Sequence, residues 1–237
     1  MKTNLFPAAL LLVLIVACNN SKVAPKVTYD ENKKEAKKLV SEVTTEIEIA
    51  DLPIQMEGSR YLLHPIGTIR VGANDKRYGE NSYKLSNYNR LELTGNFTNL
   101  KFQHQDSITT RNLTDKNIKI QTATLINAGK KQFLIYTLED LDSNKDGELN
   151  DNDIKDLYLS DGNGLNFVKL SADMQEVIDW NTIESKNKLF FRTLEDINKN
   201  GAFDSKDQVH YFYLDLDSKQ PTSIEYFPVD VTQNSAK

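Results

Sequence analysis

Past residue 50 the apolar positions come in short runs, and none keeps a helical period for more than about two turns. Runs at 60–71, 90–93 and 97–102 are bounded by Gly, Asn and Asp, as strands are. Between two of them, Thr94-Gly95-Asn96 predicts a hairpin, with glycine supplying the positive φ. Residues 117–127 alternate through Ile118, Ile120, Thr122, Thr124 and Ile126. The chain then turns at Ala128-Gly129-Lys130 and returns over 132–138, a second hairpin. Two earlier stretches differ. Residues 5–16 are apolar apart from Pro7, and residues 18–50 are dominated by Asn, Ser, Lys and Glu. In the latter, Ala36, Leu39, Val40 and Val43 recur at near-helical spacing and predict at most a short helix over 32–43. The rest of that stretch reads as a solvated spacer. The pattern predicts an all-β, antiparallel domain over 52–237.

A repeat organises that domain. Phe133-Leu134-Ile135-Tyr136-Thr137-Leu138-Glu139-Asp140 is echoed by Leu189-Phe190-Phe191-Arg192-Thr193-Leu194-Glu195-Asp196. Each is followed by an acidic loop and an aromatic-rich strand, Leu157-Tyr158-Leu159 and then Tyr211-Phe212-Tyr213-Leu214. A polar turn comes next, Asp161-Gly162-Asn163-Gly164 in one copy and Asp217-Ser218-Lys219 in the other. Gly147 and Gly201 hold matching places in the two loops, 54 residues apart. Each unit is an antiparallel meander that resembles a propeller blade, with Asp179-Trp180 leading into the next sheet. Closing a propeller takes at least about four blades, whereas units of this length leave room for about three.

The beginning of the chain reads as an address. Met1-Lys2-Thr3-Asn4 carries positive charge, and the twelve-residue run behind it is shorter than the roughly 20 apolar residues of a membrane span. It ends in Ile15-Val16-Ala17-Cys18 and then turns polar at Asn19-Asn20-Ser21-Lys22. This resembles the bacterial lipobox, which implies a signal peptide over 1–17, lipid attachment at Cys18 and a lipidated tether over 18–50. Two or three acyl chains, each buried methylene contributing about 0.8 kcal/mol, would anchor the chain to a bilayer without spanning it.

The two acidic loops carry the candidate chemistry. Residues 142–153 place Asp142, Asn144 and Asp146 at positions one, three and five, and Gly147 at six. Asn150 stands at nine and Asp153 at twelve. Residues 196–207 repeat the scheme with Asp196, Asn198, Asn200, Gly201, Asp204 and Asp207. Both resemble the EF-hand calcium loop, in which alternate oxygens point inward, glycine permits the sharp turn and the seventh carbonyl completes the shell. The seventh residues here are Glu148 and Ala202. Two departures matter. Aspartate replaces the usual glutamate at twelve, which predicts weaker calcium binding or admission of magnesium. The flanks are β-rich, so the loops join strands, with one or two helical turns at most after Asn150 and Asp204. Loop 142–153 has more carboxylates than loop 196–207 and is expected to bind calcium more tightly.

Composition removes other classes. The chain has 237 residues with 29 Lys and Arg against 34 Asp and Glu, a formal net charge of −5. Its cations form no block, which disfavours nucleic acid. A single cysteine excludes a disulfide framework and a thiolate metal cluster. His64, His104 and His210 lack zinc-type spacing, and no nucleophile elbow, phosphate loop or dinucleotide fingerprint occurs. No catalytic residue is picked out. The whole resembles exported bacterial lipoproteins with EF-hand-like loops in a β-rich domain. That implies a lipid-anchored calcium-binding protein of the cell envelope, on the periplasmic or cell-surface side. A non-catalytic structural or binding module, with a protein or glycan partner, is the first reading. A calcium-dependent glycan hydrolase, or a subunit of an envelope complex, is the alternative.

Overall fold

The computed structural model describes residues 25–29, 45–71 and 84–229. Cys18, the apolar leader and the short helix expected over 32–43 lie outside them. Among the described residues no helix is long and apolar enough to cross a membrane.

The fold is all-β and every strand pairing is antiparallel. A first sheet runs β1 (Thr45–Ala50), β3 (Tyr61–Val71), β6 (Asn99–His104), β7 (Thr110–Asn112), with β2 (Ile54–Gln55) also on β3. A six-stranded middle sheet contains β4 (Ser86–Asn89), β5 (Glu92–Phe97), β8 (Lys119–Ala128), β9 (Lys131–Glu139), β10 (Asp156–Asp161) and β11 (Val168–Lys169). Its order is β11-β10-β9-β8-β5-β4. The third sheet is the meander β12 (Gln175–Ile183), β13 (Lys188–Glu195), β14 (Gln208–Asp215), β15 (Ile224–Glu225).

The middle sheet is covered on both faces. One core joins Leu63, Leu100 and Phe102 of the first sheet to Leu93, Ile120, Leu134 and Tyr136 of the middle one. A second core joins Phe133, Ile135, Leu157 and Leu159 to Val177, Leu189, Phe191 and Leu214 of the third sheet. Residues 133–139 are therefore all buried. This is why the run Phe133-Leu134-Ile135-Tyr136 does not alternate: a strand with apolar neighbours on both faces needs no polar side. Fully burying one such side chain stabilises by about 1.5–3 kcal/mol.

The repeat is a pair of four-stranded meanders, β8 to β11 and β12 to β15, stacked face to face across the second core. In this they are blade-like. The described residues form three sheets, short of the four blades that closure requires.

Three local expectations are corrected. Gly95 does not turn a hairpin; it lies inside β5, where a Cβ would stand 2.3 Å from the Leu85 carbonyl oxygen. Close approach of two chains, not positive φ, demands glycine there. The β4–β5 hairpin turns at Arg90 instead, with φ of 44°. No helical turn follows Asn150 or Asp204, because both loops end in simple turns before β10 and β14. Nor is the spacer free up to residue 50: Thr45–Ala50 is β1, paired residue for residue with β3.

Candidate metal centre

Loop 142–153 joins β9 to β10, and loop 196–207 joins β13 to β14. Antiparallel strands of the stacked meanders bring both loops to one pole, while the turns at 129–130, 162–167 and 216–223 lie at the other.

The loops adopt one backbone. Their fourth residues, Lys145 and Lys199, have φ of 58° and 55°, and Gly147 and Gly201 have φ of 90° and 83°. Without a Cβ, glycine enters that region at no steric cost. The side-chain hydrogen bonds also match position for position. The first carboxylate accepts the N–H groups of the fifth and sixth residues. Asp142 does so at 3.1 and 2.9 Å, Asp196 at 3.2 and 2.7 Å. Asn144 and Asn198 accept the fifth N–H at 2.9 and 3.0 Å. Asp146 and Asn200 accept the seventh N–H, that of Glu148 or Ala202, at 2.8 Å. Asp153 and Asp207 accept the ninth N–H at 3.0 and 2.7 Å, while Asn150 and Asp204 accept the eleventh. Short polar side chains capping their own turn in this way explain why Asp, Asn and Gly recur at these spacings.

An oxygen that accepts one N–H keeps a lone pair that a cation can share; Asp196 Oδ2, which takes both the Gly201 N–H and the Tyr29 hydroxyl, is an exception. The side-chain tips are drawn together in pairs. Asn144 donates to Asp146 at 3.1 Å, Asn198 to Asp207 at 3.3 Å and Asn200 to Asp204 at 3.4 Å. The donor set is oxygen only, which suits a hard cation such as calcium. Two carboxylates are buried: Asp153 with no exposed surface and Asp196 with 3%. Among the described residues neither has a cationic side-chain partner, an arrangement costly for a buried charge unless amides or an ion compensate it. Asp153 engages Ser143 N–H at 2.9 Å and Asn144 N–H at 3.3 Å besides the Asn150 bond. An ion at the twelfth position must share that carboxylate with three amides. Among the described residues no three His, Cys, Asp or Glu side chains already form a metal cluster. The loops draw on asparagine and carbonyl oxygens, and their carboxylates are turned to backbone amides.

A strap that the spacer reading did not foresee crosses both loops. Thr28 N–H bonds Ser143 O at 2.9 Å, and its Oγ1 donates to Asn144 O at 2.8 Å. Ser143 Oγ returns a bond to Lys26 O at 2.7 Å. On loop 196–207, Val27 N–H bonds Gly201 O at 3.2 Å, and Tyr29 Oη donates to Asp196 at 3.1 Å. Val27 itself is buried. Burial first, then the bond to Asp196, pushes the Tyr29 phenol up to about 12. Lys26 pairs with Glu176 of β12 at 2.8 Å. The only sequence signal of the strap is the strand-like triplet Val27-Thr28-Tyr29 within a polar stretch.

Two further carboxylate sites flank loop 142–153. Glu139 ends β9 with no exposed surface; its Oε1 takes a short bond from Gln121 at 2.5 Å, and its Oε2 has no partner among the described residues. Burial pushes this carboxyl up to about 8, Lys26 opposing. Buried Asp156 and half-buried Asp140 form a pair beneath Lys169, whose Nζ lies 3.3 Å from Asp140, 3.0 Å from Asp156 and 3.0 Å from Asp173. Burial, reinforced by the bond to Asp140, raises Asp156 to about 7. Burial would raise Asp140 too, but bonds from Asp156 and Tyr158 and the charge of Lys169 hold it below the usual range. This pair is enclosed by Tyr158, Ser171 and Lys169 and does not line the large groove at the opposite pole. The histidines lie on β3, β6 and β14, His210 between Glu195 at 2.8 Å and Glu225 at 2.7 Å. In the aromatic run, Phe212 packs inward on Phe191, and Tyr211 and Tyr213 meet Tyr226 on the outer face of the third sheet.

Comparison with protein-family models, curated proteins and solved structures gives no match to this chain.

Proposed function

We propose that this chain is an exported, lipid-anchored calcium-binding protein, a non-catalytic structural or binding module of the cell envelope. The observation that carries the calcium reading is the identity of the two loops. Chain segments 54 residues apart share one backbone and one hydrogen-bond scheme, and each holds a buried carboxylate that has no cationic partner among the described residues. In loop 142–153 the ligands are Asp142, Asn144, Asp146, the Glu148 carbonyl, Asn150 and Asp153. In loop 196–207 they are Asp196, Asn198, Asn200, the Ala202 carbonyl, Asp204 and Asp207. Calcium supplies positive charge that holds these oxygens together; the loops join strands, so it fastens strand ends instead of opening a helix pair.

The anchor reading rests on Ile15-Val16-Ala17-Cys18 and the polar run after it. Pro25 lies seven positions after Cys18, a reach of at most roughly 25 Å. A lipidated Cys18 would therefore hold the calcium pole near the bilayer and leave the opposite pole facing away from it.

The hydrolase alternative requires two carboxyl groups facing one cleft. The carboxylate pair Asp140 and Asp156 is covered by Lys169, which favours the non-catalytic reading. Calcium titration calorimetry tests the proposal. Two sites are expected in the wild type, and one each in Asp142→Ala and Asp196→Ala. Absence of heat at millimolar calcium contradicts it.

A further inference from the structure

At the pole away from the calcium loops, a half-open groove of about 970 Å³ runs across the ends of all three sheets. Its walls come from the turn before β3, the β8–β9 and β10–β11 turns, and the segment after β14. Four cations line it: Arg60, Lys130, Lys131 and Lys219. A single carboxylate, Asp161, opposes them, and Asn166 already engages it at 2.7 Å. Among the described residues none of the four cations is in a salt bridge. Lys131 reaches only a backbone carbonyl, that of Asp217, at 3.4 Å. On a chain of net charge −5, this concentration of unpaired positive charge is a local reversal. Lined concavities focus such a field on a ligand of opposite sign.

The remaining lining narrows the ligand. Asn163 and Gln220 offer amides that both donate and accept, the pairing that sugar hydroxyls require, and Gln132, whose N–H groups engage Gly58 O and Asn127 Oδ1, adds an acceptor. Tyr61 and Phe167 are half-buried and line the same groove, so apolar ring surface lies beside the amides. Tyr61 is braced edge-on by His104, and Phe167 is stacked on Tyr158 at 4.7 Å. The volume accommodates a ligand of several rings. With Asp161 as the one carboxylate in the lining, the groove lacks the pair that glycoside hydrolysis uses.

We infer that this groove binds an acidic oligosaccharide, a hydroxyl-rich chain bearing carboxylate or sulfate groups, and holds it without cleaving it. The cations take the acidic groups, the amides take hydroxyls, and Tyr61 and Phe167 take the sugar faces. The site is separate from the calcium loops and does not depend on their occupancy.

The test is calorimetric titration of the full chain, in chelator, with a galacturonate hexamer. A neutral glucose hexamer and a thymidine dodecanucleotide are titrated in parallel. The acidic hexamer is expected to bind, the neutral one at least about tenfold more weakly, and raised salt to weaken the acidic one. Combined Lys130→Ala and Lys219→Ala, both exposed turn residues, should weaken it about five- to tenfold with the far-UV spectrum unchanged. No binding, equal binding of the neutral hexamer, preference for the nucleotide, or indifference to the double substitution each overturns the inference. Because calcium is chelated throughout, failure here is independent of whether the loops bind metal.

Discussion

Replacing Gly201 with alanine should release the strap over residues 25–29, whereas the same change at Gly147 should not. Gly201 and Gly147 have φ of 83° and 90°, so both alanines suffer left-handed strain of about 1–2 kcal/mol. The difference lies in their surroundings. A Cβ on Gly201 would stand 2.4 Å from the Val27 carbonyl oxygen and 3.2 Å from Pro25, while one on Gly147 meets nothing within 4 Å. The strap makes five hydrogen bonds to the loops, at about 1 kcal/mol each, and buries Val27 for about 2 kcal/mol more. Ordering five residues costs about 5–10 kcal/mol. The balance is within a few kcal/mol of zero, so a clash at Val27 suffices to tip it. Tryptic cleavage after Lys26 reads the result, because the Val27 N–H is bonded only in the docked strap. Cleavage should accelerate about tenfold or more in Gly201→Ala and stay within about twofold of wild type in Gly147→Ala. Equal rates in the two variants would refute the clamp.

Three further outcomes are expected. Glu139 is held protonated by burial, its folded value of about 8 lying above the unfolded one. The stability it contributes is present in full below about pH 4.3 and lost as pH rises through 8, so Glu139→Gln should flatten that decline, on the order of 3 kcal/mol, in denaturant titrations between pH 5 and 8. Lys169→Met strips the Asp140–Asp156 pair of its cation, the only one it has among the described residues, and should destabilise by about 3 kcal/mol at pH 7, read by urea unfolding. Cys18→Ala should abolish fatty-acid labelling and membrane partition; a variant that still labels removes the anchor from the account.

Much of the architecture was legible because it follows from local pattern. Residues 117–127 alternate, Gly129 turns with φ of 59°, and β8–β9 appear where the sequence places them. The repeat around Thr-Leu-Glu-Asp located both meanders. What failed depended on distant chain. Gly95 looked like a turn glycine, yet its need arises from the Leu85 backbone pressed against it. That β5 joins β8 while β6 crosses to β3 is a choice between sheets that no window of sequence encodes. At the loops, the glycine at the sixth place marked a positive-φ turn, and Gly147 and Gly201 take it at 90° and 83°. The strap left no signal beyond the triplet Val27-Thr28-Tyr29, since five residues contacting loops over a hundred residues away leave no periodicity. The groove was equally hidden: Arg60, Lys130, Lys131 and Lys219 become neighbours only through folding.

The central claim is that calcium in both loops stabilises the domain, and thermal unfolding in calcium, magnesium and chelator tests it most directly. A site of about 10⁻⁴ M, in the extracellular class, adds roughly 1.4 kcal/mol at millimolar calcium. On that basis calcium should raise the melting temperature, Asp142→Ala should remove the larger part of the rise, and Asp196→Ala a smaller part. Identical melting of the wild type in calcium and in chelator would reduce both loops to polar turns and contradict the account.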